Sequence, residues 1–178
     1  IAPENPALQR SGRDIAEIRA RAAAGARCLA VFRDQEPIGF IWTLRGSYAE
    51  KTHPCILATD PGEQTALDID VVVVPEARGT PAFAALWDAA NEHLRAEGVA
   101  WSLSRISAFN PRSLRPHRRL GAEVIGGLTF IKLGSLVIMI GGPRPGVHVC
   151  SGDNRRLPRV ILRVPPSVGA GDTREQGY

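Results

Sequence analysis

The chain has 178 residues, of which 44% are hydrophobic, and this length and composition favour a single domain with one core. The formal net charge is only +4, and the aromatic residues do not alternate with Lys and Arg, so we expect no nucleic acid partner. No apolar run approaches the roughly 18 residues of a membrane span, so we expect no span either.

The three cysteines, Cys28, Cys55 and Cys150, fit neither a disulfide framework nor a zinc pattern. We interpret them as free thiols in a reducing compartment and predict a cytoplasmic protein that binds no metal. Because the first residue is Ile1 rather than methionine, we expect that further sequence precedes it.

The first part of the chain predicts a helix, a hairpin and a loop. A capping pattern at 11–14 precedes an apolar-periodic helix that ends at Gly25. The apolar runs 27–33 and 37–44 are joined by a short polar turn, which predicts a hairpin. Between 46 and 62 the composition turns to Ser, Thr, Pro, Asp and Gly, so we expect a long surface loop there.

A buried strand leads directly into a helix in the middle of the chain. The segment 66–74 ends in four consecutive valines, as expected of a strand that is covered on both faces. A turn with Arg78 and Gly79 follows, and Thr80 is a good N-cap for a helix over 81–97. Because free backbone N–H groups and the helix dipole converge at such a turn, it suits an anion such as a phosphorylated cofactor.

Four more elements follow in the compact part of the chain. We predict a strand at 99–108, a helix that opens with Asn110 and closes at Gly121, and two strands at 123–133 and 135–141. The strand–helix–strand unit before Asn110 requires a parallel pair, whereas the hairpins are antiparallel. The fold class is therefore a mixed α/β sheet.

The end of the chain differs in composition from the rest. We predict a domain over residues 1–142 and an extension over 143–178 that is rich in Pro, Gly and Arg. Within the extension only Val160 to Val164 resembles a strand. Such a strand could join the edge of this domain or of a second copy, so a homodimer is one expectation.

Two motifs in this order resemble the GNAT acyltransferase superfamily over about residues 12–142. The first motif is Val-Val-Val-Pro-Glu-Ala-Arg-Gly at 72–79, and the second is Asn-Pro-Arg-Ser-Leu-Arg-Pro-His-Arg-Arg-Leu-Gly-Ala at 110–122. The resemblance implies a mostly antiparallel mixed sheet with helices on both faces and a central parallel pair that splays apart. In that superfamily the thioester arm of acyl-CoA lies in the gap and the pyrophosphate lies on the turn. The implied activity is transfer of an acyl group from acetyl-CoA or another acyl-CoA to a small amine or amino-acid acceptor.

The turn departs from the superfamily pattern at two positions. Arg78 and Gly79 match its start, but Pro81 and Phe83 stand where the superfamily has small residues. Pro81 removes one N–H group that would face a phosphate, and Phe83 is bulky, although the Thr80 hydroxyl could return one donor. Two alternatives therefore stay open: a donor bound to an acyl carrier protein, as in N-acyl amino acid synthases, or a catalytically idle module that binds a ligand or partner.

The resemblance also implies functional residues. His117 stands where the superfamily usually has a tyrosine that protonates the departing thiolate, and histidine can donate a proton near neutral pH; the alternative is a histidine that only packs on the helix surface. Asp68 and Asp70 are two residues apart on a strand, so we expect them to share one face of the sheet and to supply a general base, or instead to balance nearby arginines. The predicted cofactor-binding residues are Val72, Val74, Arg78, Gly79, Thr80, Asn110 and Ser113.

Four arginines on the short helix after Asn110 form a basic cluster. They are expected to bind a 3′-phosphate, an acidic carrier protein or an anionic substrate, or to form a solvated face. The four are Arg112, Arg115, Arg118 and Arg119.

Overall fold

The computed structural model describes residues 1–50, 52–143, 145–151 and 157–164. Two short 3₁₀ helices, Pro6–Ser11 and Pro75–Ala77, accompany the regular elements of this part of the chain. In chain order those elements are α1 (Ile15–Ala23), β1 (Arg27–Arg33), β2 (Glu36–Arg45), β3 (Ser47–Ala49), β4 (Ile56–Asp60), β5 (Thr65–Val73), α2 (Ala82–Ala96), β6 (Trp101–Ser104), α3 (Pro111–Arg119), β7 (Leu128–Leu133), β8 (Leu136–Gly141), β9 (Val147–Ser151) and β10 (Arg159–Arg163).

Four strands form the main sheet in the order β1-β2-β5-β6. β2 pairs antiparallel with both β1 and β5, whereas β5 and β6 are parallel. The helix α2 connects β5 to β6 and provides the crossover that a parallel pair requires. The mixed, mostly antiparallel fold with a parallel pair is therefore confirmed.

The parallel pair is short. Its residue pairs run from Thr65 with Trp101 to Asp68 with Ser104, whereas β5 continues beside β2. The predicted strand 99–108 was therefore too long at both ends. Beyond the last pair the two segments have no ladder between them, and this is where the predicted splay lies.

Helices cover both faces of the main sheet, because β2 is apolar on both sides. Phe40 and Trp42 pack with Ile18 of α1 on one face. Ile41 packs with Leu86 of α2 on the other face. The predicted helices on both faces are confirmed, and no helix in the described part of the chain is long and apolar enough to cross a membrane.

Strands occupy nearly half of the region predicted as a long surface loop, so that prediction is wrong for the residues of β3 and β4. β3 pairs antiparallel with β4, and β4 pairs in parallel with β10. Leu57 of β4, Val160 of β10 and Met139 of β8 are buried in one apolar cluster. The composition hid these strands because β3 is only three residues long and the second partner of β4, which is β10, lies far along the chain, where a local pattern cannot reveal it. β10 thus pairs within its own chain.

The remaining strands form a three-stranded antiparallel sheet in the order β7-β8-β9. β7 begins at Leu128, later than the predicted 123, directly after Gly126 and Gly127. β9 was missed, although the alternation of valine with polar residues at 147–150 is a strand signal.

All three cysteines are free thiols, as predicted. Burial raises the pKa of the Cys28 thiol to about 12 and that of the Cys55 thiol to about 11. Both thiols therefore stay protonated and unreactive near neutral pH.

We predict that removal of residues 143–178 lowers stability, because it exposes the cluster around Val160 and leaves an edge of β4 unpaired. Burial of an aliphatic side chain contributes about 1.5–3 kcal/mol, so the loss of β10, together with that of β9 from the edge of β8, should lower the melting temperature by roughly 10 °C. Scanning calorimetry of the full chain and of the truncated chain measures this, and a chain that ends after Val164 retains β10 as the control. Complete loss of a cooperative transition would contradict the proposed domain boundary at Gly142.

Candidate functional site

The candidate site lies at the end of the parallel pair. Val71, near the end of β5, belongs to the same apolar cluster as Phe83 and Trp87 of α2. The ring of His117 in α3 contacts both aromatic side chains, with centroid distances of 5.1 Å to Phe83 and 5.6 Å to Trp87. The splay, the turn before α2 and His117 are therefore brought to one end of the main sheet.

A β-bulge separates the two candidate carboxylates. On β2, Trp42 pairs with Asp70 and the next residue, Thr43, pairs with Asp68, so Ile69 is an extra residue on β5. Because consecutive residues of β2 point to opposite faces, their partners do so as well. The expectation that Asp68 and Asp70 share one face is wrong, since the bulge shifts the alternation by one residue.

Asp70 lies on the α1 face in an ion-pair network. Arg13 donates two hydrogen bonds of 2.7 Å to its two carboxylate oxygens, and Arg21 donates a third of 2.6 Å. Arg21 is buried and also pairs with Glu17 at 2.6 Å. Burial alone would raise the pKa of the Asp70 carboxyl, but the hydrogen bonds from the two arginines lower it below its ordinary value. Asp70 thus balances arginines, which is one of the two roles that the sequence left open.

Asp68 lies on the α2 face, where the β5–β6 ladder ends. Its Oδ1 is inaccessible to solvent and has no hydrogen-bond partner in the described part of the chain. Burial raises the pKa of the Asp68 carboxyl to about 8, against a smaller opposing effect of the hydrogen bond with Ser104. A carboxyl that exchanges a proton near neutral pH can act as a general base or acid.

His117 is oriented by its own helix. It is only 6% exposed, and its Nδ1 lies 2.7 Å from the carbonyl oxygen of Ser113. Because a carbonyl oxygen can only accept, Nδ1 carries a hydrogen and donates it. Nε2 is buried and lacks a hydrogen-bond partner among the described residues. Nε2 is therefore the ring atom left to exchange a proton with a ligand, and α3 runs without a break through Pro116.

The turn before α2 has the conformation that its glycine allows. Gly79 has a φ of +78°, and a Cβ at this position would meet no atom within 4 Å, so the space above the turn is open. Arg78 is exposed, and its Nε donates to the carbonyl oxygen of Val73 at 3.2 Å. Within the described part of the chain, the N–H groups of Gly79 and Phe83 have no hydrogen-bond partner. The turn can therefore present N–H groups and a guanidinium to an anion.

Two features of the same turn reduce this capacity. The Thr80 hydroxyl donates its proton to the carbonyl oxygen of Ala77 at 2.6 Å and accepts from the N–H of Ala82 at 3.3 Å. It stabilises the helix start and has no second proton for a phosphate. The Phe83 ring packs against His117 and fills space between α2 and α3.

The other predicted cofactor-binding residues make contacts within the protein. The Asn110 side chain accepts from the N–H of Ser113 at 3.3 Å and caps α3. Val74 is 2% exposed and its N–H donates to Ile38, whereas Val72 is half-buried opposite Phe40. Their contribution to ligand binding remains a proposal.

Exposed arginines lie along the whole length of α3. No ion pair is found for the four arginines of α3 in the described part of the chain. Phe109, one residue before the N-cap, is 95% exposed. Arg105, directly after β6, instead pairs with Glu50 of the segment that joins β3 to β4.

Sequence reasoning missed several residues around the site. Arg13 and Arg21 were read only as part of a helix and its cap, and Glu50 only as part of a loop. An acidic residue between aliphatic residues on a buried strand is itself a signal that a partner or a functional role must exist for it, but it does not identify Arg13 and Arg21. In the described residues, no three His, Cys, Asp or Glu side chains lie together as metal ligands would.

Comparison with known proteins gives matches only among solved structures, since no family model and no curated protein matches the chain. The aminoglycoside N-acetyltransferase AAC(6')-Iy in complex with CoA is 18% identical, with a TM-score of 0.53 over 71% of this chain and 90% of that chain. The same acetyltransferase in complex with the bisubstrate analogue CoA-S-monomethyl-acetylneamine is 18% identical, with a TM-score of 0.52 over 67% of this chain and 77% of that chain. A ribosomal-protein-alanine N-acetyltransferase from Brucella melitensis biovar Abortus 2308 is 13% identical, with a TM-score of 0.52 over 71% of this chain and 85% of that chain. The chain therefore has the fold of the GNAT acetyltransferases, as its motifs predicted.

Proposed function

We propose that this protein is an N-acyltransferase that moves an acyl group from acyl-CoA to a small amine or amino-acid acceptor. The observation that supports this most is the interrupted parallel pair: beyond Asp68, β5 keeps β2 as its partner but has none on its β6 side, and it leads into a turn with free N–H groups and an exposed arginine. The structures that share this fold include complexes with CoA and with a CoA-linked acceptor analogue, which supports a CoA thioester as donor.

The side chains at the gap supply the two proton transfers that the reaction requires. An amine must lose a proton as it attacks the thioester carbonyl, and the sulfur that departs must gain one. Asp68 is the better of the two candidate bases, because its carboxyl is unpaired at Oδ1, whereas Asp70 is held by two arginines. His117 is the proposed acid: because its Nδ1–H donates to Ser113, it would act as the doubly protonated imidazolium, which passes the proton on Nε2 to the sulfur and is left as the neutral ring. Arg78, Gly79 and the N-terminus of α2 would bind the phosphates.

Titration calorimetry of the full chain with acetyl-CoA and with a long-chain acyl-CoA tests the proposal. We expect saturable binding of at least one of them, with an affinity in the micromolar to sub-millimolar range that is common for enzyme substrates. Binding of neither donor would contradict the proposed function and would leave an idle module. The predicted cytoplasmic location is consistent with a CoA donor and stays a prediction.

Donor binding should depend on Arg78. Its replacement by alanine removes a charge-assisted hydrogen bond worth about 1.5–3 kcal/mol, so the dissociation constant for acyl-CoA should rise by roughly one to two orders of magnitude. Arg95→Ala, at the other end of α2, is the matched control and should leave affinity unchanged. If Arg78→Ala and the wild type bind acyl-CoA with equal affinity, the turn does not contribute to donor binding and this part of the proposal is wrong.

A donor bound to an acyl carrier protein is the second candidate. Two observations favour it: Phe83 occupies space beside the turn, and the helix α3, whose His117 contacts Phe83, carries exposed arginines that form no ion pair in the described residues. An acidic carrier protein would complement this helix and deliver the same thioester arm without the pyrophosphate. Replacing Arg115 and Arg119 by glutamate should then abolish transfer from the acylated carrier, while Arg95→Glu should not. Transfer from acyl-CoA alone, unaffected by these changes, would contradict this candidate.

A further inference from the structure

One face of the β7-β8-β9 sheet consists almost entirely of aliphatic side chains. The strand registers place Ile131, Ile138 and Val149 side by side across the sheet, and the flanking rows continue the same face. We call this set the aliphatic face. Its nine residues are Thr129, Ile131, Leu133, Leu136, Ile138, Ile140, Val147, Val149 and Ser151.

The opposite face of the sheet packs against the rest of the domain. Leu128, Phe130 and Met139 point to that side and join the apolar cluster of β4 and β10. On the aliphatic face, by contrast, six of the seven aliphatic residues are between 36% and 62% exposed. None of the nine residues is charged, so this face lacks the charged side chains that are typical of a solvent-exposed protein surface.

The amount of apolar surface agrees with an interaction site. The six exposed side chains leave about 500 Å² of apolar surface in solvent, which lies in the range of the largest patches on monomers, and these are often functional. Two such faces would bury about 1,000 Å² in total when packed together, which is the lower bound for a specific interface.

We infer that the aliphatic face is the interface of a homodimer. A second copy presents an uncharged face of the same pattern, and two three-stranded sheets can pack face to face at the usual spacing of about 10 Å. The absence of charge matters for self-association, because packing two copies of this face together brings no like charges into contact, and the net charge of +4 leaves only a modest repulsion between the molecules. This inference does not depend on the proposed acyltransferase activity.

Sedimentation velocity over micromolar to near-millimolar concentrations tests the inference on the full chain. We expect a reversible monomer–dimer equilibrium, because the interface is at the lower bound of size. The double variant Ile131→Lys, Val149→Lys places two charges in the middle of the face and should raise the dimer dissociation constant at least 100-fold. Phe32→Lys introduces one lysine at a 49% exposed apolar residue of β1, outside the aliphatic face, and should leave the equilibrium unchanged.

Folding of the variants is checked by circular dichroism and thermal melting. Should the lysine variant not fold, Ile131→Thr with Val149→Thr keeps strand-forming residues and should weaken the dimer in the same direction. A wild-type chain that stays monomeric at all concentrations would overturn the inference. A dimer that survives both double variants would overturn it as well.

Discussion

Replacement of His117 by alanine is expected to lower the turnover number about 10²–10⁴-fold while the affinity for the donor changes little. The reason is that the other ring nitrogen, Nδ1, is hydrogen-bonded to Ser113. A proton can therefore pass from the ring to the departing sulfur only through Nε2. Stopped-flow or steady-state measurement of thiol release with a saturating donor gives the turnover number, and calorimetry gives the affinity.

The loss of a buried ring also changes packing against Phe83 and Trp87. Two further variants therefore distinguish the loss of proton transfer from the loss of packing. His117→Phe keeps an aromatic ring but cannot transfer a proton, and it should be as inactive as the alanine variant. His117→Tyr restores the residue type that the GNAT superfamily usually has at this position, and it should recover a substantial part of the turnover. Full activity of His117→Phe would reduce His117 to a packing role.

Replacement of Asp68 by asparagine should also lower the turnover number by about 10²-fold or more, through loss of the general base. It should alter the pH dependence as well. In the wild type the turnover should rise with pH up to about 8, as the carboxyl with its raised pKa loses its proton. The asparagine variant should lack this limb of the pH–rate profile. Asp70→Asn is the control, and a loss of the limb in that variant instead would make Asp70 the base.

The Asp68 carboxyl should also make the stability of the protein depend on pH. The pKa of Asp68 is about 8 in the folded protein and near its ordinary value of 3.8 in the unfolded chain, so between these values only the folded state retains the proton. Stability should therefore fall as the pH rises across this window, by up to about 1.4 kcal/mol per pH unit. Asp68→Asn should abolish this dependence and be more stable than the wild type at pH 8. For Asp70 the sign is opposite, because its lowered pKa contributes stability that is lost in acid.

The local patterns predicted the fold well where neighbours in the chain are also neighbours in space. The hairpin of β1 and β2, the crossover through α2 and the capped start of α3 all follow from short-range signals of this kind. The pairing of β4 with β10 does not, because two short strands far apart in the chain carry no mutual signal. The relatedness of the fold to GNAT acetyltransferases was predictable because two motifs occurred in the right order.

The site was less predictable than the fold, for a physical reason at each residue. A single extra residue at Ile69 moves Asp70 to the other face of the sheet, and no periodicity reveals such a bulge in advance. The role of Asp70 depends on Arg13 and Arg21, whose guanidinium groups reach it only after α1 packs on the sheet. Nε2 of His117 is left without a partner because Nδ1 donates to the carbonyl oxygen of Ser113 one turn earlier in α3, and this contact exists only once the helix has formed.

A crystal structure of the protein with CoA tests the central claim most directly, because the claim concerns where the thioester arm lies. We expect the pantetheine arm in the gap beside β5 beyond Asp68 and Ser104, the thiol sulfur within hydrogen-bond reach of His117 Nε2, and the pyrophosphate on the N–H of Gly79. CoA bound elsewhere on the molecule, or a ladder between β5 and β6 that continues past Ser104 and closes the gap, would contradict the account.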